Sequence, residues 1–202
     1  MKSLMRKNRI RFAACSLAII FAMSTAALAG DITGKVTVSG LRSAHNVVVY
    51  IDGNFPGGNG HATIDQRKMT FSPHVLVVQK GTTVEFLNSD PLGHNVYWPS
   101  VGGNKGLANN LGTWPQGQKK SFTFNNPGAV PLLCNVHPEM AAYIIVVPSP
   151  YFAQTDGAGN FVIRGVPPGH YTIKTWAEGG RATTQQVDVG GGPTTVNLAV
   201  SR

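Results

Sequence analysis

Apolar and polar residues alternate along most of the chain from residue 31 onward, in short runs: VTV at 36–38, NVVVYI at 46–51, HVLVVQ at 74–79 and TTVEFL at 82–87. The pattern continues through SFTF at 121–124, AYIIVV at 142–147, FVI at 161–163, YTIKTW at 171–176, QQVDV at 185–189 and TVNLAV at 195–200. A period of two sends successive side chains to opposite faces of a strand, and glycine or proline separates nearly every pair of runs. The chain is therefore expected to be all-β, with no amphipathic helix after residue 29.

Two shifts in composition divide these strands. DGNFPGGNGHATIDQ at 52–66 is rich in glycine and poor in apolar residues, and VPSPY at 147–151 carries two prolines. Both read as linkers or crossover loops. Between them, residues 68–148 carry several short strands and one long Gly/Asn-rich loop, PSVGGNKGLANNLGTWPQGQ at 99–118. The segment before residue 52 holds only a pair of strands, and an isolated pair is marginal in water. Strands after residue 151 would supply its partners if residues 30–55 and 149–202 form one discontinuous β-sandwich into which 68–148 is inserted. The alternative is that residues 32–51 pair with the middle segment.

The first 29 residues stand apart from this pattern. Lys2, Arg6, Lys7, Arg9 and Arg11 precede the apolar run AACSLAIIFAMSTAALA, which finishes in Ala27-Leu28-Ala29. That is the anatomy of a secretory signal peptide cleaved near Ala29, and the run is shorter than the ~20 residues of a membrane span. No second long apolar segment follows, so the mature protein is expected to be periplasmic or otherwise exported, and not membrane-spanning. The formal charge of +8 falls to +3 once the five leader cations are set aside. Without a basic stretch interleaved with aromatics, nucleic acid is not an expected partner.

Export changes the meaning of the cysteines. Of the two, Cys15 lies in the leader and Cys134 is left alone in a compartment that favours disulfides. Such a thiol is either buried and inert or held by something other than sulfur. It sits in PLLCNVHPEM at 131–140, where Cys134, His137 and Met140 follow at intervals of three. A thiolate, an imidazole and a thioether on one tight loop are a soft donor set that favours copper, whereas structural zinc wants more cysteines than one. A second imidazole completes the set, and His94 in FLNSDPLGHNVYWPS, opening a strand after a turn-rich segment, is the candidate. His45, His61, His74 and His170 lack any partner pattern and are expected at the surface. Tyr97, Trp98 and Trp114 are expected to serve packing rather than an electron path.

FSPHVLVVQKGTTVEFLNSDPLGHNVYW followed by FNNPGAVPLLCNVHPEM resembles the cupredoxins, the blue copper family, and the C-x2-H-P-x-M loop is most similar to amicyanin and its relatives. The resemblance covers about residues 68–148. It implies a Greek-key β-sandwich or barrel holding one mononuclear type 1 copper ion, with His94, Cys134 and His137 in a trigonal plane and Met140 axial. It also implies that Asn95 ties the His94 strand to the ligand loop while its backbone N–H bonds the Cys134 sulfur. His137 would then be the electron exit, reached through an apolar partner-facing patch around Pro138. Val136 stands where relatives often have proline, and Leu132-Leu133 stand where an aromatic is common, departures that bear on packing and potential rather than on the ligands.

The outer segments carry TDGAGNFVIRGVPPGHYTIKTW at 155–176, which resembles a carboxypeptidase regulatory-like module, a small transthyretin-type sandwich. They contain no catalytic triad, phosphate loop or paired carboxylates, so the chain is not expected to be an enzyme. The function implied is single-electron transfer between redox partners, such as a c-type cytochrome or a periplasmic dehydrogenase, through Cu(II)/Cu(I). The alternatives are a periplasmic copper carrier and a non-redox scaffold or adhesion protein.

Overall fold

The computed structural model describes residues 28–202, so the signal peptide expected at residues 1–29 lies almost wholly outside the described residues. Strands follow in the order β1 Gly30–Ser39, β2 Val48–Asp52, β3 His61–Arg67, β4 Thr70–Ser72, β5 Val75–Gln79, β6 Thr82–Asn88, β7 His94–Trp98 and β8 Asn109–Trp114. They continue as β9 Lys119–Phe124, β10 Gly128–Leu133, β11 Ala141–Val147, β12 Phe152–Gln154, β13 Asn160–Val166, β14 Gly169–Trp176, β15 Thr184–Val189, β16 Thr194–Thr195 and β17 Leu198–Ser201. Helix is confined to one 3₁₀ turn, Lys105–Leu107, among the described residues, and none there is long and apolar enough to cross a membrane. The all-β expectation holds.

Strands β3 to β11 build one sandwich. A five-stranded sheet in the order β5-β11-β10-β7-β8 faces a four-stranded sheet in the order β4-β3-β6-β9. The apolar half of each alternation fills the space between them, with Ile64, Phe86, Val96, Trp98, Phe124, Leu132 and Ile144 all essentially inaccessible. Trp98 is the hub of this core, packed against Phe86, Phe122 and Phe124, and its indole N–H donates to the Leu107 carbonyl at 3.0 Å.

The strands that flank this unit in sequence pair with one another. β1 runs antiparallel to β13 and parallel to β16 and β17, while β2 lies between β12 and β14 with β15 at the edge. These two sheets enclose a second core that includes Ile32, Val36, Val49, Ile51, Ile163, Ile173 and Leu198.

Two runs depart from clean alternation, VVYI in β2 and AYIIVV in β11, and the packing explains both. Val49 and Ile51 face the second core, whereas Val48 on the other face of β2 meets Val75, Ile145 and Val147 in a third apolar cluster. Strand β11 sends Ala142, Ile144 and Val146 into the first core and Ile145 and Val147 into the same third cluster. Strands buried on both faces read as continuous apolar runs. This seam joins the sandwiches, and its rim carries a hydrogen-bonded contact between His74 Nε2 and the Glu178 carboxylate at 2.8 Å.

Two segments differ from the sequence reading. The expected linker at 52–66 runs into β3, which spans His61–Arg67 and pairs in parallel with β6 from His61↔Thr83 to Gln66↔Asn88. Its only buried residues are Ile64 and Gln66, so little apolar signal marks it. The long loop expected at 99–118 contains β8, which pairs with β7 and sets Trp114 opposite His94.

Candidate metal centre

Strand β7 opens at His94, and its register with β8 on one side and β10 on the other places that side chain at the end of the sheet. Strand β10 ends at Leu133, the chain turns through residues 134–140, and β11 begins at Ala141. The turn is closed by the Met140 N–H donating to the His137 carbonyl at 3.0 Å. A loop between two antiparallel neighbours thus delivers Cys134 and His137 to the strand end that His94 occupies.

The side-chain ligand atoms of His94, Cys134 and His137 all lie within 4.8 Å of one another. The two Nδ1 atoms face each other at 3.0 Å, with ring centroids 4.7 Å apart. His94 is fully buried, Cys134 is 3% and Met140 1% exposed, and His137 is half-buried. Met140 belongs to the same apolar cluster as Cys134. Cys134 is a free thiol. Two inward-facing imidazole nitrogens beside a buried, unpaired thiol are a donor set that fits a soft, thiophilic ion.

Asn95 joins the strand to the loop. Its backbone N–H donates to Cys134 Sγ at 3.4 Å, and its side-chain oxygen accepts from the Asn135 N–H at 3.3 Å. The amide nitrogen donates to Asn110 Oδ1 at 2.8 Å, which brings β8 into the same network. Pro138 is exposed, as are Asn135, Val136 and Glu139 of the loop. Leu92, two residues before His94, and Val136, one before His137, are each nearly half exposed despite their size.

One residue of the site carries no mark in the sequence. Asp90, buried in the turn before His94, accepts from His94 Nε2 at 2.8 Å and from the backbone N–H groups of Lys68 and Met69 at 2.6 and 2.8 Å. Burial pushes its carboxyl up, but the hydrogen bonds from Met69, His94 and Lys68 outweigh that and hold it below the ordinary carboxylate value. SDPLG reads as turn chemistry, and only an acid four residues ahead of a ligand histidine would have hinted at more.

The remaining sequence candidates separate cleanly. His45, His61, His74 and His170 are all exposed. Trp98 and Trp114 are buried in the core, and Lys120 sits 5.3 Å above the Trp114 ring.

Residues 58–147 match the family model for copper binding proteins, plastocyanin/azurin family. Residues 140–201 match that for the carboxypeptidase regulatory-like domain. A search of curated proteins finds no match. Among solved structures, a mutant of amicyanin in the reduced state is 25% identical with a TM-score of 0.40, the alignment covering 48% of this chain and 97% of that one. A purple cupredoxin from Nitrosopumilus maritimus is 25% identical with a TM-score of 0.38, covering 42% of this chain and 98% of that one.

Proposed function

We propose that this chain, whose middle segment matches the plastocyanin/azurin copper-binding family, is an exported type 1 copper protein that passes single electrons between redox partners. The observation that carries the reading is the convergence of His94, Cys134 and His137 ligand atoms within 4.8 Å. His94, Cys134 and His137 would hold one copper ion, with Met140 as the weak fourth ligand. When bound, the ion supplies a one-electron Cu(II)/Cu(I) couple.

The protein's part is to keep the donors still and to give electrons a way out. His94 and Cys134 are anchored at strand ends, and the loop from Cys134 to Met140 is tied at both ends, by Asn95 and by its own turn. Donors held this way move little between oxidation states, which keeps the reorganisation accompanying transfer small. The Asn95 N–H stabilises charge on the Cys134 sulfur. Hydrogen bonds of this kind, with the dry apolar surroundings, set the potential of such a site.

His137 is the one aromatic donor that is partly open to solvent. The apolar surface beside it, Val136 and Pro138 with Leu92 nearby in sequence to His94, suits brief contact with a second redox protein. A c-type cytochrome or a periplasmic dehydrogenase is the class of partner that such a surface would serve. The flanking sandwich, built on residues 30–55 and 149–202, serves as a scaffold for the copper unit.

The test is to add one equivalent of Cu(II) to the mature protein and record the visible spectrum and a voltammogram. An intense thiolate-to-copper band, bleached by ascorbate, restored by oxidation and lost in Cys134→Ser and His94→Ala, is the expected result. Quick surrender of the ion to a chelator without a reversible couple would replace electron transfer with copper carriage.

A further inference from the structure

Asp90 is 6% exposed, and its carboxylate has three donors around it, two of which come from an unusual turn. Lys68 and Met69 link β3 to β4 with φ of +54° and +55°. Two-residue hairpin turns of this left-handed kind normally use asparagine or glycine, because side chains crowd the backbone there. Here the turn has a lysine and a methionine, and its consecutive N–H groups point at one carboxylate, the nest arrangement that cradles an anion. From the other side, the Asp90 N–H donates to Asn88 Oδ1 at 3.0 Å and to the Gln66 carbonyl at 3.2 Å. Asn88 in turn donates to the carbonyls of Leu92 and Trp114 at 2.8 and 3.0 Å. The acid is thus clamped by β3, β6, the hairpin turn and β8.

We infer that Asp90 is a positioning residue for the copper site, acting through His94, an inference that rests on the copper reading above. A carboxylate that already takes two backbone N–H donors accepts at its third contact too, so the proton of the His94 ring sits on Nε2. Nδ1 is then left with its lone pair facing His137 and Cys134, the direction in which the ion binds. The same contact fixes the rotation of the ring and makes the imidazole a stronger donor. A stronger donor favours Cu(II) over Cu(I), so Asp90 holds the midpoint potential down. Partners of this kind are worth about 10–100-fold in metal affinity. If the loss falls on Cu(II) alone, that range corresponds to about 60–120 mV at 59 mV per tenfold for one electron.

Asp90→Asn tests this directly, with Cu(II) affinity measured by chelator competition and the potential by voltammetry. The expected result is a 10–100-fold weaker Cu(II) complex and a potential raised in proportion, with the thiolate band retained because no ligand is removed. Unchanged affinity and potential in a folded Asp90→Asn protein would overturn the inference. Should the variant not fold, the tautomer is read in the copper-free wild type by long-range ¹H–¹⁵N correlation of the imidazoles. A proton on His94 Nε2 supports the assignment, and a proton on Nδ1 with bare Nε2 overturns it. Failure of the wild type to form a thiolate band would instead sink the copper reading itself, and with it the role assigned to Asp90.

Discussion

Replacing Asn95 with alanine separates the two ways this residue serves the site. The side chain is 3% exposed and makes two hydrogen bonds, a short one to Asn110 Oδ1 and a longer one from the Asn135 N–H. A typical internal hydrogen bond contributes about 1 kcal/mol net, and a buried partner left alone costs about 1–3 kcal/mol. Neither partner is stranded here, since Asn110 Oδ1 keeps the Gly112 N–H at 2.8 Å and Asn135 is exposed to water. The loss should therefore come from the bonds alone, about 2 kcal/mol in the copper-free protein. Urea titration followed by tryptophan fluorescence measures it, because Trp98 and Trp114 both lie in the core of the copper-side sandwich. The backbone N–H to Cys134 Sγ does not depend on the side chain, so the copper-thiolate band should survive. A midpoint within error of wild type would refute the claim that Asn95 braces the loop. Loss of the band with little loss of stability would show that the amide acts on the ion rather than on the fold.

Other perturbations probe the frame around the site. Ile145→Ala empties part of the seam cluster, where the residue is 3% exposed, and should cost about 2–4 kcal/mol. Calorimetry should show one transition splitting into two as the sandwiches uncouple. Glu178→Gln weakens the His74 contact on the rim of the same seam, but both side chains are about half exposed, so less than about 1 kcal/mol should be lost. A larger loss would mean that polar contacts, not apolar burial, hold the seam. Gly34→Ala would put a Cβ 1.7 Å from the Val196 carbonyl oxygen, and such a backbone clash should cost about 3 kcal/mol by thermal melt. The Asp156 carboxyl is held below its ordinary value, chiefly by the Asn160 side-chain amide and then by backbone N–H groups. A lowered value in the folded state means its stabilisation is complete above about pH 4 and fades as pH falls through the folded value. Wild type should thus lose its advantage over Asp156→Asn on acidification, and a difference that grew towards low pH would contradict the sign.

How much of this was legible in the sequence depended on which physical signal each part carried. Strands with one buried face announce themselves by alternation, as TTVEFL does in β6. β3 did not, because HATIDQR follows a glycine run and its inward positions include Gln66, which is buried through a hydrogen bond to the Leu87 carbonyl instead of by apolarity. β8 was hidden for a related reason: NNLGTW contributes one fully buried residue, Trp114, and otherwise serves as an edge. At the site, the meeting of Cys134 and His137 was legible because a thiol, an imidazole and a thioether spaced along one short loop share little chemistry except metal ligation, and Met140 is buried in the same cluster as Cys134. His94 required its partner strand to be imagined correctly, and the structure brings it to 3.0 Å from His137. Asp90 was illegible, since its role is set by a hairpin turn some twenty residues upstream that no local pattern connects to it.

The pairing of β1 has a consequence for how the protein comes into being. Val36 to Ser39 lie in register with Leu198 to Ser201, so β1 finds this neighbour only about 160 residues further along the chain. Everything needed for the copper-side sandwich is synthesised in between and has its own core, free to condense while β1 waits. A chain that ended before β17 would carry an intact β3–β11 sandwich beside an open strand edge, a hazard for aggregation. Strand β17 therefore closes this edge of β1, and with it the outer sandwich, only after the whole of the inserted sandwich has been made.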